Sequence, residues 1–265
     1  MKLNLPDVTL VMLETREHEL ARMAIEDCLD KATFGNVLVM TDRPLEFASL
    51  TALCKPTIKT IPDAPSKLGW CQQLWYDIPP HVTTSHALFI QWDSWIWDET
   101  KWRDEFLNYD YIGAPWWYQD GRNVGNSGFG IKSTRLIRFL RKHPFEFPCD
   151  REIEDDLLCR TYRPALQALG FTWAPEWIAH DFAWEGCNQP PTKTTHFGFH
   201  AMFNWPKVLD QERLAERLQI AMESDYISKS YMMKAFCEMH PQIIKGLLEA
   251  GGHLEQLNPT GVQHV

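Results

Sequence analysis

The chain has 265 residues, with 26 Lys and Arg against 35 Asp and Glu, a formal charge of −9. Hydrophobic residues make up 45% and charged residues 23%, a globular composition that excludes a disordered or collagenous chain. The acidic balance argues against a broad nucleic-acid-binding surface, and no apolar run reaches the roughly 20 residues of a membrane span. Residues 8–13 form an apolar run interrupted only by the β-branched Thr9 and read as a buried strand rather than a leader peptide. Residues 17–32 read as a helix, with Leu20, Met23, Ala24, Cys28 and Leu29 on one face. Residues 36–40 read as a second buried strand, so the chain opens on a βαβ unit and a parallel sheet. Residues 55–65 hold Pro56, Pro62 and Pro65, which predict a break in regular structure. Ser66 is placed to cap a helix over 67–76, stopped by Pro79 and Pro80.

Residues 86–91 predict a third buried strand that runs into Trp92, Asp93 and Ser94. A short strand is expected over 109–114, and a glycine-rich turn leads into another near residue 131. Ser133 or Thr134 caps a helix to residue 142, and 155–169 is helical in pattern apart from Pro164. Beyond Trp205 the pattern becomes helical with few glycines or prolines, which predicts a main domain over 1–205 and a helical appendage over 206–265. Twelve tryptophans fall between residues 70 and 205 and none outside. Seven cysteines without a C-x-x-C pair read as reduced thiols, mostly packed as small hydrophobes.

Four constellations bear chemistry. Gln91, Trp92, Asp93 and Ser94 end a buried strand, where open α/β sheets bind ligands. Asp93 there reads equally as a ligand for a hard divalent cation or as the cap of the next turn. His196 and His200 lie four apart in an extended segment, so both point the same way. His196 reads as a packed, hydrogen-bonded ring. Glu154, Asp155 and Asp156, preceded by Asp150 and Glu152, crowd carboxylates together. Such crowding raises a pKa toward that of a general base, while the same residues suit a helix N-terminus. As neighbours on a helix, Glu154 and Asp155 are expected to point in different directions. Finally, Gly125, Asn126, Ser127, Gly128 and Gly130 form a small-residue turn that allows close approach of a ligand or simply a tight hairpin.

The stretches HALFIQWDSWIWDETKWRDEFLNYDYIGAPWW, VGNSGFGIKS, EDDLLCRTYRPALQALGFTWAPEWIAHDFAWE and HFGFH, in this order, resemble a poorly characterised bacterial and phage family of glycosyltransferase-like proteins over residues 8–205. The resemblance implies an α/β fold of the GT-A type, a Rossmann-like mixed sheet flanked by helices with a C-terminal helical appendage. It implies a cytoplasmic glycosyltransferase that moves a sugar from a nucleotide-sugar donor, such as a UDP-sugar, to an acceptor hydroxyl with help from Mn²⁺ or Mg²⁺. Asp93 and His200 would hold the metal. Asp155, with Glu154 beside it, would be the catalytic base. Thr15, Arg16, Ser66, Lys67, Gln91, Trp92, Asn126 and Gly128 would bind the donor. Some of Trp92, Trp95, Trp116, Trp117 and Trp184 would line the cleft. Gln91 replaces the first acid of the Asp-x-Asp motif, Ser127 stands where glycine is expected, and Gly130 stands where a small polar residue is expected. Two other readings remain: transfer to hydroxymethylated DNA bases, which the acidic charge disfavours, and a carbohydrate-binding protein on a decayed transferase fold.

Overall fold

The chain starts with β1 (Leu3–Leu13), α1 (His18–Lys31) and β2 (Ala32–Thr41). This computed structural model describes residues 2–63, 66–118, 120–143, 154–186 and 196–249. The two strands pair in parallel from Leu3↔Ala32 to Leu13↔Met40, with one register shift between Leu5 and Thr9. Val8, Leu10, Val11, Met12 and Leu13 are all buried, as expected of a strand covered on both faces. Helix α1 contributes Leu20, Ala21, Ala24, Ile25 and Cys28 to the core and packs against both strands.

The proline-rich segment behaves differently from expectation. β3 (Thr57–Thr60) pairs in parallel with β2, from Leu38↔Thr57 to Thr41↔Thr60. Pro56 and Pro62 stand just outside it, and an edge strand needs hydrogen bonds on one side only. α2 (Lys67–Gln72) follows and continues as a π-helical turn over Gln73–Asp77. Then come β4 (His86–Ile90), the two-residue β5 (Trp95–Ile96), β6 (Tyr111–Gly113) and β7 (Phe129–Ser133). α3 (Thr134–Lys142) starts on a Ser133 cap, whose Oγ accepts the Leu136 N–H at 3.1 Å. The helix expected over 155–169 is split into α4 (Glu154–Asp156), a π-helical turn over Leu157–Thr161, and α5 (Arg163–Ala168). Pro164 sits in the first turn of α5, where its missing N–H costs nothing. α6 (Glu176–Phe182), β8 (Ala183–Trp184) and β9 (Gly198–Phe199) complete this part.

The main sheet is mixed, with strand order β3-β2-β1-β4-β7-β6. The first four strands are parallel, and β7 runs against both β4 and β6. The chain winds outward from β1 in one direction and resumes at β4 in the other. The carboxyl ends of β1 and β4 therefore form a topological switch point, the place where such sheets bind ligands. One core cluster joins Val11, Leu38, Phe89, Trp75 and Leu157. The expected mixed α/β sheet flanked by helices is thus found.

A second, three-stranded sheet has the order β5-β9-β8. β5 pairs antiparallel with β9 (Trp95↔Phe199), and β8 pairs parallel with it (Trp184↔Phe199). Trp95 meets Phe199 edge-on with centroids 4.6 Å apart, and Trp184 stacks on His196 at 6.1 Å. Trp92, Trp95 and Trp184 are buried. Trp95 and Trp184 thus build this sheet rather than line an open cleft.

The chain divides into two compact units, Met1–His200 and Ala201–Val265. The second is helical where described, with α7 (Trp205–Val208), α8 (Gln211–Glu223), α9 (Tyr231–Met239) and α10 (Pro241–Glu249). Asp210 and Ser230 cap α8 and α9 through their side-chain oxygens. Leu214, Leu218, Ala221, Met233 and Phe236 are buried. Among the described residues, no helix is long and apolar enough to cross a membrane.

Candidate functional site

The small sheet explains how distant residues meet. β8 and β9 are parallel, so the residues after them, Glu185 and His200, emerge at the same end. β5 is antiparallel, so the residues before it, Asp93 and Ser94, start at that end too. His200 Nε2 lies 3.2 Å from Gln91 Oε1 and 3.5 Å from Asp93 Oδ1. His200 Nδ1 lies 3.3 Å from Glu185 Oε1. Asp93 is 1% exposed. Burial disfavours the charged imidazole, but Asp93, Glu185 and Asp155 outweigh it and raise His200 to about 9.

The turn before β7 closes over this group. Ser94 Oγ donates to the Gly128 carbonyl at 2.5 Å and accepts the Gln91 N–H at 2.9 Å, tying the two loops together. A Cβ on Gly128 would come within 2.2 Å of the His200 ring, so only glycine fits there. Asn126 adopts a positive φ of 39°, and its Oδ1 accepts the Gly128 N–H at 3.1 Å. Asn and Asp tolerate this conformation best after glycine.

Glu154 and Asp155 do not diverge as a regular helix would make them. Both reach Ser127: Glu154 Oε2 accepts its hydroxyl at 2.6 Å, and Asp155 Oδ2 accepts its N–H at 3.2 Å. Ser127, where glycine was expected, is therefore the link between the turn and both acids. Glu154 also pairs with Lys132 Nζ at 2.8 Å, with side chains only 1% and 3% exposed. Lys132 sits over the Phe89 ring at 4.2 Å. Burial, with the charges of Glu154 and Asp156 beside it, pushes Asp155 up to about 7. The two acids thus differ in kind: Glu154 is locked in an ion pair, while Asp155 is poised to exchange a proton near neutrality.

The remaining expected residues lie at the same edge of the main sheet or structure it. Thr15 and Arg16 follow β1, but their backbone N–H groups are already taken by Glu14 Oε1 at 3.0 and 2.8 Å. Ser66 Oγ accepts the Gly69 N–H at 3.1 Å as the cap of α2, whose first residue is Lys67. Trp70 of α2 lines a narrow pocket with Leu13, Phe89, Gln91, Ser127 and Lys132, which brings α2 to the switch point. Trp92 is buried beside Asp93. His196 Nδ1 meets the His180 carbonyl at 2.5 Å, and its ring packs against both Trp97 and Trp184, which also touch each other. Asp150 and Glu152 lie outside the described residues, as do Cys149 and Cys187. Burial pushes the Cys71 thiol up to about 12.

Glu185 and Lys132 belong to the site and were not singled out in the sequence. Glu185 follows a two-residue strand with no readable alternation. Lys132 had a signal, a lysine inside the apolar strand FGIKS, where a buried cation calls for a buried partner.

Among the described residues, no group of three His, Cys, Asp or Glu is arranged to hold a metal ion. The candidate set is smaller in acids: Asp93, His200 and the Gln91 amide oxygen. Adjacent ligands at bond lengths of about 2.1 Å stand roughly 3 Å apart. The 3.2 and 3.5 Å separations around His200 Nε2 fit that spacing. Glu185 on the far ring nitrogen is where a carboxylate orients a metal-binding histidine.

Residues 58–200 match the model of a family described as "Protein of unknown function (DUF5672)". The chain belongs to that family. No curated protein matches it. Among solved structures, it is similar to a glycosyltransferase involved in glycosylation of the major capsid of PBCV-1, at 10% identity, covering 80% of this chain and 98% of that one, with a TM-score of 0.48. It is also similar to glucosyl-3-phosphoglycerate synthase from Mycobacterium tuberculosis, solved with Mn²⁺, UDP and phosphoglyceric acid, at 13% identity, 63% and 66% coverage, and a TM-score of 0.41. A third is the bifunctional IspDF from Campylobacter jejuni, at 11% identity, 63% and 48% coverage, and a TM-score of 0.42, so this chain spans about half of its length.

Proposed function

We propose that the protein is a glycosyltransferase that moves a sugar from a nucleotide-sugar donor to an acceptor hydroxyl, acting in the cytoplasm. The observation that carries this reading is the meeting of Gln91, Asp93 and His200 within 3.5 Å at the carboxyl end of β4, with the raised Asp155 beside them. Asp93, His200 and Gln91 would hold Mn²⁺ or Mg²⁺. When bound, a divalent cation supplies neutralising charge for the departing diphosphate.

The chain's own groups supply the rest. Asp155, ionised above about pH 7, takes the proton of the acceptor hydroxyl as that oxygen bonds to the anomeric carbon. The bond from that carbon to the diphosphate oxygen breaks with its electron pair on the leaving group. Lys132, Glu154 and Ser127 keep Asp155 and the turn in place. The turn over Asn126 and Gly128, with the ends of β1 and α2 (Thr15, Arg16, Ser66 and Lys67), borders the donor.

The test is a panel of UDP-, GDP-, CDP- and TDP-sugars with Mn²⁺, monitored for nucleoside diphosphate release and by calorimetry. Donor turnover that vanishes in Asp93→Ala and His200→Ala supports the reading. Asp155→Asn is expected to bind donor normally and transfer nothing. Failure of every donor to bind overturns the reading, and a protein that binds glycans without turning over donor is a lectin on a transferase fold. Retention of a hydroxymethylated DNA duplex at moderate salt would instead point to DNA as acceptor.

A further inference from the structure

The loop between β6 and β7 holds aromatic rings that the transfer chemistry does not use. Pro115 and Val124 form an antiparallel bridge, and the Trp116 N–H donates to the Asn123 carbonyl at 2.7 Å. These contacts make a hairpin that ends at Gly125, one residue before the site turn. Trp116 lies against Gly125 so closely that a Cβ there would meet its ring at 2.1 Å. The Gly125 carbonyl accepts the Tyr111 hydroxyl at 3.0 Å from below. The base of the hairpin is therefore clamped to the turn that carries Asn126, Ser127 and Gly128.

The upper part is pinned to the segment that carries the acids. Arg160, in the π-helical turn that continues α4, places its guanidinium 3.7 Å from the centre of the Tyr118 ring. The same guanidinium pairs with Asp120 at 2.6 Å and reaches the Arg122 carbonyl at 3.5 Å, while Arg122 reaches back to the Arg160 carbonyl at 3.4 Å. Trp117 packs on Tyr118 with centroids 5.3 Å apart and a 32° tilt, yet it is 52% exposed. An isolated exposed tryptophan carries no message. This one is different because its neighbour ring is held by a cation from Asp155's own segment, and its hairpin is fixed to the site turn at the other end.

We propose that Trp117, backed by Tyr118, is a stacking platform for a pyranose ring of the acceptor, which makes the acceptor a carbohydrate rather than a protein or DNA hydroxyl. The proposal rests on the transfer reading above. The apolar C–H face of a sugar matches an exposed indole face, and the ring hydroxyls require polar neighbours. Asp120, Arg122 and Arg160 supply them beside the rings. Because Arg160 joins the platform to the segment of Asp155, a sugar stacked on Trp117 is held in register with the base.

The full chain, labelled with 5-fluorotryptophan, is titrated with methyl glucoside, methyl galactoside, methyl mannoside, methyl rhamnoside, maltose and lactose. ¹⁹F resonances of Trp117 and Trp177 are assigned from the Trp→Phe variants. Trp177 is the control, because it is 59% exposed on α6 and its ring lies under the Arg103 guanidinium, 5.6 Å away, outside the ring cluster of the hairpin. At least one sugar is expected to shift the Trp117 resonance saturably and leave Trp177 unmoved. Trp117→Ala should weaken that binding roughly tenfold or more, and Arg160→Ala should weaken it with Trp117 still present. No shift at Trp117 with any sugar, or equal shifts at both tryptophans, overturns the platform. The nucleotide-sugar calorimetry separates the two readings. Donor binding with a silent Trp117 removes the platform alone, and a saturable Trp117 without any donor binding removes the transfer reading and with it the acceptor role, leaving Trp117 as a sugar-binding platform only.

Discussion

The two sheets of the first unit do different work. The six-stranded sheet is built from strands of up to eleven residues, with side chains buried on both faces, and it sets the switch point at β1 and β4. The three-stranded sheet has strands of two residues and contributes little area, yet its geometry gathers Asp93, Glu185 and His200 at one end. Stability and chemistry are therefore divided. A change in the long strands should cost folding energy first, and a change in the short ones should cost ligand binding first. The variants below are ordered by how strongly they test that division.

The largest expected effect lies in the main sheet. Lys132 on β7 and Glu154 on α4 form an ion pair with almost no exposure. Lys132→Met leaves a buried carboxylate without its cation, which costs about 3–5 kcal/mol. Urea denaturation should show this loss. The double change Lys132→Met with Glu154→Leu should recover most of it, because replacing a whole buried pair with apolar groups is close to neutral. If the double variant is as unstable as the single one, Glu154 does more than balance Lys132.

The next variant tests the joint between the sheets. Phe129 on β7 packs against Gly198 on β9, where an added Cβ would meet its ring at 2.1 Å. Gly198→Ala should therefore cost about 1–3 kcal/mol through overpacking. It should also weaken nucleotide-sugar binding with Mn²⁺, because His200 follows β9 directly. Lost stability with unchanged donor affinity would show that the small sheet holds His200 without help from its neighbour.

These differences also explain what could be read from the sequence. β1, α1, β2 and β4 announce themselves because long buried elements need runs or stripes of apolar residues. Asp93 could be found because it ends such a run. β5, β8 and β9 have no period to read, since two residues cannot alternate, and so the reason that His200 meets Asp93 was invisible. β3 was hidden by flanking prolines that in fact lie outside it. The convergence of Glu154 and Asp155 on Ser127 was missed because α4 lasts only three residues before its π-helical turn. The tryptophans could be read only as a set: nothing in the sequence said which of them, Trp95 and Trp184 among them, would pack in the small sheet, because a large ring can fill the core of a small sheet as well as a cleft.

Glu185→Gln belongs wholly to the small sheet. It keeps the shape of the contact at His200 Nδ1 and removes the charge. Removing the partner that orients a metal-binding histidine typically lowers metal affinity about 10–100-fold. Mn²⁺ titration in the presence of UDP should show a loss in that range, with the urea midpoint almost unchanged. An unchanged affinity would reduce Glu185 to a packing residue.

The smallest effect is a pH test of the main sheet's far edge. Asp110 accepts hydrogen bonds from Ser133 Oγ, the Thr172 N–H and Arg135. Burial alone would raise its carboxyl, but the Arg135 guanidinium, Ser133 and Thr172 outweigh burial and hold it below the ordinary aspartate value. A carboxyl with a lowered folded-state pKa stabilises the fold above its unfolded value of 3.8 and loses that contribution as pH falls further. Arg135 is more than half exposed, so solvent screens the pair and its worth is about 1 kcal/mol or less. Asp110→Asn should therefore lower stability slightly at pH 7, and its denaturation midpoint should converge with that of the unaltered protein below about pH 3.8. Donor binding should not change at any pH, because no residue of this network belongs to the small sheet. A parallel loss of binding would mean that strain at the outer edge of the main sheet reaches His200 after all, and the division between the two sheets would fail.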